Sequence, residues 1–313
     1  MGWLRLRSWS PHTRTGRGDI ERAAFVTGEQ WKDLPADDQA AAAALTNLGV
    51  KVDAPVWDDE AVDWTVYDAV VLRSPWDYYL KPDAFRRWIN RLEELEVPLW
   101  NPAPTLRWNL DKIYLRDLEQ RGVAITPTAF PADGDRIEDI MKTRGWKDVV
   151  LKPRVSAAGH RTTRVLQREK DRLERAQAEM DMLNAEGGAL VQPFLAVIET
   201  IGEWSFIFLG GHFSHAVLKR PGAGEFRVQE QYGGTAAGGQ APAGLVDQAR
   251  LVMAAVDLPW IYARVDGCDV DGRLLLMELE LLEPSLFLSD GPGAAEEFAR
   301  VIRDEIRKTS LIG

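Results

Sequence analysis

An acidic hairpin near the C-terminus limits what this chain can fold into. Residues 263–282 predict two antiparallel strands joined at Asp271-Gly272, and the returning strand is apolar except where acids interrupt it. Because the side chains of a strand alternate between its faces, Glu278 and Glu280 lie on one side, about 7 Å apart. Two like charges there need a cation, and hard oxygen ligands suit Mg²⁺ or Mn²⁺. The alternative is a solvated edge strand with exposed acids.

A third carboxylate depends on the length of the hairpin loop. A two-residue loop at Asp271-Gly272 places Asp266 opposite Met277, on the other face. A three-residue loop, or a bulge at the same glycine, places Asp266 opposite Glu278. We predict the odd loop, and with it a metal site formed by Asp266, Glu278 and Glu280.

Composition narrows the functional class. The 313 residues, 45% hydrophobic and 27% charged, predict a sizeable core in two or three domains. The net charge of -10 argues against a general nucleic-acid binder, which needs a basic surface. No stretch approaches the roughly 18 apolar residues of a membrane span. The single Cys268 excludes an internal disulfide framework and suits a reducing cytoplasm, so we expect a cytoplasmic protein.

The first residues differ from the rest of the chain. Residues 1–18 carry several arginines and no acid, which fits an organelle transit peptide, a misplaced start codon or an unstructured extension. We predict an extension over residues 1–20 and an ordered fold that begins near Glu21.

Strands and helices alternate from residue 21 to residue 108. Apolar segments predict strands at 23–27, 51–56, 69–73 and 99–100, and helical patterns occupy 38–48 and 84–95. This alternation predicts a small parallel sheet with helices on both sides, in which function gathers at the C-terminal strand ends. One strand runs into Ser74, Trp76, Asp77 and Tyr78, which we select as a site for a small zwitterion whose ammonium points toward Asp77. The alternative is a loop whose aromatic rings pack against the sheet.

The middle of the chain predicts a phosphate site without a standard motif. Lys152 ends a buried strand, and the residues that follow, including Ser156 and Gly159, are small or polar. Small residues let backbone N–H groups approach phosphate oxygens, and the lysine adds positive charge. Neither a P-loop nor a Gly-x-Gly-x-x-Gly fingerprint occurs in the chain. The strand at 189–195 ends in a proline-bearing connector, where backbone groups can pair with an adenine edge.

Glycines predict a moving segment in the C-terminal third. Residues 219–227 fit a mobile loop that closes over substrate, with Lys219 and Arg227 bringing charge to phosphate or carboxylate. Residues 233–239 continue that flexible run, and the alternative is a disordered connector. His212 and His215 face opposite sides of a strand, so we interpret them as structural.

In chain order these segments resemble the ATP-grasp superfamily over residues 101–285. The similarity rests on Asn-Leu-Asp-Lys112, Val-Leu-Lys152-Pro, Val-Gln192-Pro-Phe-Leu195, Gly-Glu203, Arg264-Val-Asp266 and Glu278-Leu-Glu280. The spacing from Glu278 to Pro284 is similar to prokaryotic glutathione synthetases, although Glu280 stands where they carry Asn. Ser-Pro-Trp-Asp-Tyr, Phe-Ser-His-Ala-Val-Leu-Lys and Gly-Glu-Phe-Arg-Val-Gln resemble the O-ureido-D-serine cyclo-ligases of cycloserine biosynthesis.

The resemblance implies an α/β fold that is α+β in its ATP-grasp part. A Rossmann-like pre-ATP-grasp domain occupies residues 21–108, a central lid subdomain 109–190, and a C-terminal subdomain with the metal site 191–313. The implied cofactors are ATP and Mg²⁺ or Mn²⁺. The implied partner is a small amino-acid-like substrate. We expect no nucleic-acid or membrane partner, and the resemblance leaves open whether the protein forms a homodimer.

The resemblance also implies an activity and residue roles. An ATP-grasp ligase activates a carboxylate as an acyl phosphate that an amine attacks. The amine can belong to a second substrate or to the same molecule, as in O-ureido-serine, where the attack closes a ring. ADP and phosphate are released. By this resemblance Lys112 and Lys152 contact phosphates and adenine, Glu203 accepts the ribose hydroxyls, and Gln192 with the backbone of Pro193, Phe194 and Leu195 frames adenine. The catalytic residues are Arg264, which stabilises the charge developing on the transferred phosphoryl group, and Arg227 and Lys219, which bring positive charge to phosphate or carboxylate. The alternative is a nucleotide-binding module that has lost turnover and acts as a sensor or partner.

Overall fold

The computed structural model describes residues 20–312, and the predicted extension over residues 1–20 lies outside them except for Ile20. The N-terminal part is a parallel sheet in the order β2-β1-β3-β4. Its strands are β1 Arg22–Thr27, β2 Lys51–Asp53, β3 Ala69–Ser74 and β4 Leu99–Trp100. The helices of this part are α1 Ala36–Asn47, α2 Pro82–Glu94 and α3 Ala103–Asn109. The predicted α/β class and alternation are confirmed.

A second, three-stranded antiparallel sheet follows, in the order β6-β5-β7. Its strands are β5 Asp148–Pro153, β6 Thr163–Leu166 and β7 Ala189–Pro193. The helices in this part of the chain are α4 Tyr114–Gln120, α5 Ile137–Arg144 and α6 Lys170–Glu186. Helices α5 and α6 cover the sheet around a separate small core that includes Met141, Val149 and Met180. This unit therefore has an apolar core of its own.

The C-terminal part is a five-stranded antiparallel sheet in the order β10-β9-β8-β11-β12. Its strands are β8 Glu203–Leu209, β9 His212–Arg220, β10 Thr235–Gly238, β11 Tyr262–Val270 and β12 Arg273–Glu280. The remaining helices are α7 Val197–Thr200, α8 Ala243–Ala254 and α9 Ala294–Ile312. No helix among the described residues is long and apolar enough to cross a membrane.

One continuous core joins the first and third sheets. Phe25 and Leu45 from the N-terminal part share it with Ile207, Tyr262 and Phe298 from the C-terminal part. Helix α9 packs against α1, so the end of the chain ties the two sheets together. The second sheet lies outside this core, and the space between it and the other two becomes a cleft.

Several predicted elements differ from those observed. The sequence from residue 109 to about residue 120 predicts one helix, but α3 ends at Asn109 and α4 begins only at Tyr114, so Lys112 lies in the turn between them. Helix α4 packs into the core under the C-terminal sheet, and β7 crosses the boundary placed after residue 190 to pair with β5. The glycine run at 233–239 is not a disordered connector, since residues 235–238 form β10 and pair with β9.

Candidate active site

The hairpin of β11 and β12 brings the acidic residues together in the predicted register. Asp266 lies opposite Glu278, and Arg264 lies opposite Glu280. The loop prediction itself was wrong, because Val270 pairs with Arg273 across a two-residue turn. Both turn residues have positive φ, 54° at Asp271 and 79° at Gly272, as the tight hairpin turns that match strand twist require. The extra residue is instead in β12, where the register shifts beside Asp266 and leaves Met277 without a paired residue.

Side chains from α3 and α4 fix the backbone of β12. The Asn109 amide donates to the Leu279 carbonyl at 2.8 Å and accepts from the Leu281 N–H at 2.7 Å. The Tyr114 hydroxyl accepts from the Leu279 N–H at 2.9 Å. Because Leu279 lies between Glu278 and Glu280, these bonds hold the segment that carries both carboxylates.

Asp266 lies at the centre of a buried ion network. It accepts hydrogen bonds from Ser205 Oγ at 2.6 Å, from Lys219 Nζ at 3.0 Å and from Arg264. Burial alone would raise the pKa of Asp266, but the charges of Arg264 and Lys219 outweigh burial and lower that pKa to about 2. Asp266 is therefore ionised and already has cationic partners.

Lys219 joins this network from β9, and not from a mobile loop as the sequence predicted. Its ammonium lies 2.5 Å from Glu203 and 3.0 Å from Asp266. Burial disfavours the charged lysine, yet these two carboxylates outweigh burial and raise the Lys219 pKa. Strand pairing of Glu203 with Lys219 fixes this arrangement. Lys219 is thus a rigid part of the cavity wall, while Arg227 lies in the connection that follows.

Two lysines line the cavity together with the hairpin carboxylates. Lys112 Nζ donates to the Ser156 carbonyl at 2.7 Å and lies 3.1 Å from Glu278. Lys152 Nζ donates to the Gln192 side chain at 3.0 Å. Burial lowers the Lys152 pKa, although the charge of Glu278 opposes the shift. The lysines expected from sequence to bind phosphate therefore line the same cavity as the hairpin carboxylates.

A cavity of about 580 Å³ lies where the three sheets meet, within the size range of ligand pockets. Most of the residues selected from sequence line it. They are Trp76, Tyr78, Lys112, Lys152, Ser156, Gly159, Gln192, Pro193, Phe194, Leu195, Glu203, Lys219, Arg227, Arg264, Asp266, Glu278 and Glu280. A single continuous cavity thus collects groups that are far apart in the sequence.

Two selected residues do not line this cavity. Ser74 is fully buried, and its hydroxyl pairs with that of Thr27 at 3.0 Å. Asp77 accepts a hydrogen bond from Trp57 Nε1 at 2.8 Å and lies against Gly28, where an added Cβ would come within 2.7 Å of its carboxylate. The loop after β3 turns Trp76 and Tyr78 inward and Asp77 away. We therefore correct the expectation that Ser74 and Asp77 face the substrate.

Comparison with known proteins bears on what this cavity does. Residues 23–101 match the family model of the N-terminal domain of D-cycloserine synthetase DcsG. The cycloserine biosynthesis protein DcsG of Streptomyces lavendulae is 30% identical over 280 residues, which cover 84% of this chain and 92% of that protein. The chain belongs to the DcsG family.

Solved structures agree with the DcsG-family assignment. The crystal structure of D-cycloserine synthetase DcsG superposes with a TM-score of 0.82 at 28% identity, covering 91% of this chain and 99% of that one. A D-alanine–D-alanine ligase from Bacillus anthracis gives a TM-score of 0.63 at 14% identity, covering 93% and 97%, and shows the shared fold alone. The protein is an ATP-grasp ligase, an enzyme that forms C–N bonds.

Sequence reasoning missed Glu283, which also lines the cavity. The Tyr78 hydroxyl acts on its carboxylate and lowers the Glu283 pKa, and Trp76 Nε1 donates to its backbone carbonyl at 3.0 Å. Burial raises the Glu283 pKa, and the charge of Glu278 adds to that shift. The only signal in the sequence was a third acid just beyond an acidic strand, and strand alternation does not say where that acid points.

A buried ion pair was missed as well. Arg73 at the end of β3 binds Asp38 of α1 at 2.9 Å, with 1% and 3% of the two side chains exposed. Its guanidinium also donates to the Pro284 carbonyl at 3.1 Å. Arg73 thus connects the N-terminal sheet to the segment that follows Glu283. An arginine in an otherwise apolar strand was the available signal.

The hairpin carboxylates fit a divalent cation in part. Glu278 and Glu280 line the cavity with hard oxygen donors, and burial raises the Glu280 pKa to about 8, helped by the charges of Glu278 and Asp266 and opposed by Arg264. Arg264 pairs with Glu280 at 2.5 Å, so a cation bound there would share this carboxylate with Arg264. Asp266, by contrast, is occupied by two cations and a hydroxyl. Within residues 20–312 no three His, Cys, Asp or Glu side chains form a ready metal cluster.

Proposed function

We propose that this DcsG-family enzyme activates a small amino-acid-like carboxylate with ATP and closes a ring within the same molecule. The observation that carries the proposal is the single cavity that joins lysines, arginines and hairpin carboxylates to an end walled by Trp76 and Tyr78. A carboxylate is a poor electrophile at neutral pH. Its activation requires a leaving group, and the cavity has the cations that a triphosphate and a carboxylate together demand.

The proposed reaction has two steps. A carboxylate oxygen attacks the γ-phosphorus, ADP leaves, and an acyl phosphate forms. A nitrogen then attacks the carbonyl carbon, the carbon–oxygen bond to phosphate breaks, and the nitrogen loses a proton. Arg264, whose guanidinium already bonds Asp266, Glu280 and the Ser285 carbonyl, lies where it can stabilise charge on the transferred group.

The nucleotide is proposed to lie between the second and third sheets. Lys112 and Lys152 contact its phosphates, helped by backbone N–H groups of the loop from Ser156 to Gly159. The backbone of residues 193–195 frames adenine. The Gln192 side chain is less free than the sequence predicted, because it bonds Lys152 and Thr128.

The observed contacts also limit the proposed roles of Glu203 at the ribose and of Arg227 in the loop. Glu203 accepts the ribose hydroxyls only if it shares its carboxylate with Lys219. Arg227 is held by Glu225 and stacks on Tyr232, with its guanidinium 3.5 Å from the ring centroid. Arg227 must exchange these partners before it can bind phosphate or carboxylate.

Glu278 and Glu280 would hold Mg²⁺ or Mn²⁺, which would neutralise phosphate charge during transfer. Asp266 can join them only by giving up part of its contact with Lys219 or Arg264. In this proposal the first role of Asp266 is therefore to orient the side chains of Lys219 and Arg264. Glu278 must likewise share its charge between the metal and Lys112.

The substrate class follows from the cavity and from the relative. The Streptomyces lavendulae protein takes part in cycloserine biosynthesis according to its name. Trp76 and Tyr78 wall one end of the cavity, which suits a compact zwitterion better than a long peptide. We therefore propose O-ureido-serine, which carries a carboxylate and a ureido nitrogen in one molecule, as the first substrate to test.

The test is ATP consumption with candidate substrates. The purified protein is incubated with Mg-ATP and either isomer of O-ureido-serine, other amino acids or long peptides, and ADP, phosphate and products are quantified. We expect stoichiometric ADP and phosphate with a small amino acid, and a cyclic product from O-ureido-serine. ATP binding without stimulated ADP release by any amino acid would instead favour a nucleotide-binding module that lacks turnover.

A further inference from the structure

Glu283 differs from the other buried acids of the cavity wall. Asp38 is paired with Arg73, and Asp266 is paired with both Arg264 and Lys219. Glu283 is 6% exposed and lines the same cavity. Among residues 20–312, ion pairs within 4.0 Å are found for the other two acids but none for Glu283.

The polar groups beside Glu283 belong to aromatic side chains, and the charges that act on it are those of Glu278 and of Lys112, which forms its ion pair with Glu278. The Tyr78 hydroxyl acts on its carboxylate and lowers the Glu283 pKa, and Trp76 Nε1 donates to its backbone carbonyl at 3.0 Å. Trp31 contacts Trp76 edge to face, with ring centroids 5.2 Å apart, and both indoles line the cavity. The protein therefore supplies polar groups and an aromatic wall at this position, while the cation that acts on Glu283, Lys112, forms its ion pair with Glu278.

A buried carboxylate without an ion-pair partner is costly, so a bound ligand that carries positive charge gains affinity by pairing with it. A primary ammonium matches the surroundings, because it is a compact charge with three donors and is attracted by the faces of aromatic rings. Phosphate or a carboxylate would be repelled at the same place. The ligand charge that this end of the cavity selects is therefore positive.

We propose that Glu283 binds the α-ammonium of the substrate, with Tyr78 orienting its carboxylate, and so performs the role that the sequence suggested for Asp77. This inference rests on the proposed function. It makes the substrate an α-amino acid and not a simple carboxylic acid, and it leaves the α-ammonium intact while another nitrogen forms the new bond. Glu283 thereby becomes a specificity-determining residue of the site.

The test uses Glu283→Gln with two substrates, O-ureido-D-serine and its analogue that lacks the α-amino group, 3-(ureidooxy)propanoate. Wild type should use the analogue about 10- to 150-fold less efficiently in kcat/KM, the range expected for one charged hydrogen bond. Glu283→Gln should raise the KM for O-ureido-D-serine by a similar factor. The variant should use both substrates equally well, and the KM for ATP should change less than about twofold.

Matched variants separate the possible causes. Glu60→Gln makes the same chemical change at an exposed position outside the cavity and should behave as wild type. Glu283→Asp keeps the charge on a shorter side chain and should retain part of the discrimination, which also gives a readout if the glutamine variant does not fold.

Three results would overturn the inference. They are an unchanged KM for O-ureido-D-serine in Glu283→Gln, full discrimination against the analogue in that variant, or a shift confined to the Mg²⁺ concentration needed for activity, which would make Glu283 a metal ligand. If wild type itself releases no ADP with any amino acid, the proposed function fails. That outcome is distinct from the first three, which all require an active wild type.

Discussion

The β11–β12 hairpin and the loop that follows β3 both carry residues selected from sequence, and they differ in how well that selection succeeded. In the hairpin, Asp266, Glu278 and Glu280 all line the cavity. In the loop, Trp76 and Tyr78 line it while Asp77 bonds Trp57. Strand alternation determines which face a side chain takes, whereas a loop has no such period. Candidate residues on strands are therefore more securely placed by sequence than those on loops.

The strand side of this comparison predicts the largest effect. Glu278→Gln keeps the shape of the side chain but removes a charge from the proposed cation site and from the pair with Lys112. We expect kcat to fall by at least about 100-fold, comparable with losing one group that stabilises the transition state. The fold should persist, because the apolar face of β12 is untouched, and circular dichroism checks that point. A turnover rate equal to that of wild type in this variant would contradict the assignment of Glu278 as a metal ligand.

The pH dependence of stability tests Glu280 on the same strand. Its pKa of about 8 in the folded protein lies above the ordinary value of 4.5, so the folded state holds a proton that the unfolded state has lost between these values. This contribution is fully present below about pH 4.5 and is lost as pH rises through about 8. Without nucleotide or added metal, the melting temperature should fall by a few degrees across that range. Glu280→Gln should weaken the slope, and an unchanged slope would contradict the assignment.

In the loop that follows β3, Tyr78→Phe tests a residue that does line the cavity. The ring packs against Phe85, with centroids 4.9 Å apart, so removing the hydroxyl leaves the packing in place. Glu283 loses the hydroxyl that acts on its carboxylate; at about 1 kcal/mol for one hydrogen bond, we expect roughly a fivefold rise in the amino-acid KM. Steady-state kinetics with varied amino acid and saturating ATP measures it. An equal rise in the ATP KM would mean a general distortion of the site.

The smallest effect is expected at Asp77. Asp77→Asn keeps an oxygen that accepts the hydrogen bond from Trp57, and residue 77 lies outside the cavity wall. Both KM values should change by less than about twofold, within the range of substitutions away from special features. A large rise in the amino-acid KM here, with none in Glu283→Gln, would restore the sequence-based assignment and remove the one made from the structure.

The rest of the fold shows the same limits of sequence reasoning. Apolar periodicity located the strands of the first sheet and the strand that ends at Pro153, because burial on a pleated surface leaves a repeating pattern. The bulge beside Asp266 leaves no such pattern, so the correct pairing was predicted with the wrong loop. The Arg73–Asp38 pair joins residues from different elements, and only the packed structure brings them together. Glycines near residue 235 suggested mobility, yet pairing with β9 makes that segment a strand.

Strand β12 lies at the edge of its sheet, where an open row of backbone groups could recruit a strand from another molecule. Here that row is already occupied. Leu276 exchanges backbone hydrogen bonds with residues 124 and 126, at 2.9 and 2.8 Å, and Asn109 and Tyr114 take the groups at residues 279 and 281. The strand with the densest charge in the cleft is thereby closed to edge-to-edge association, so these contacts protect the protein from aggregation at this edge.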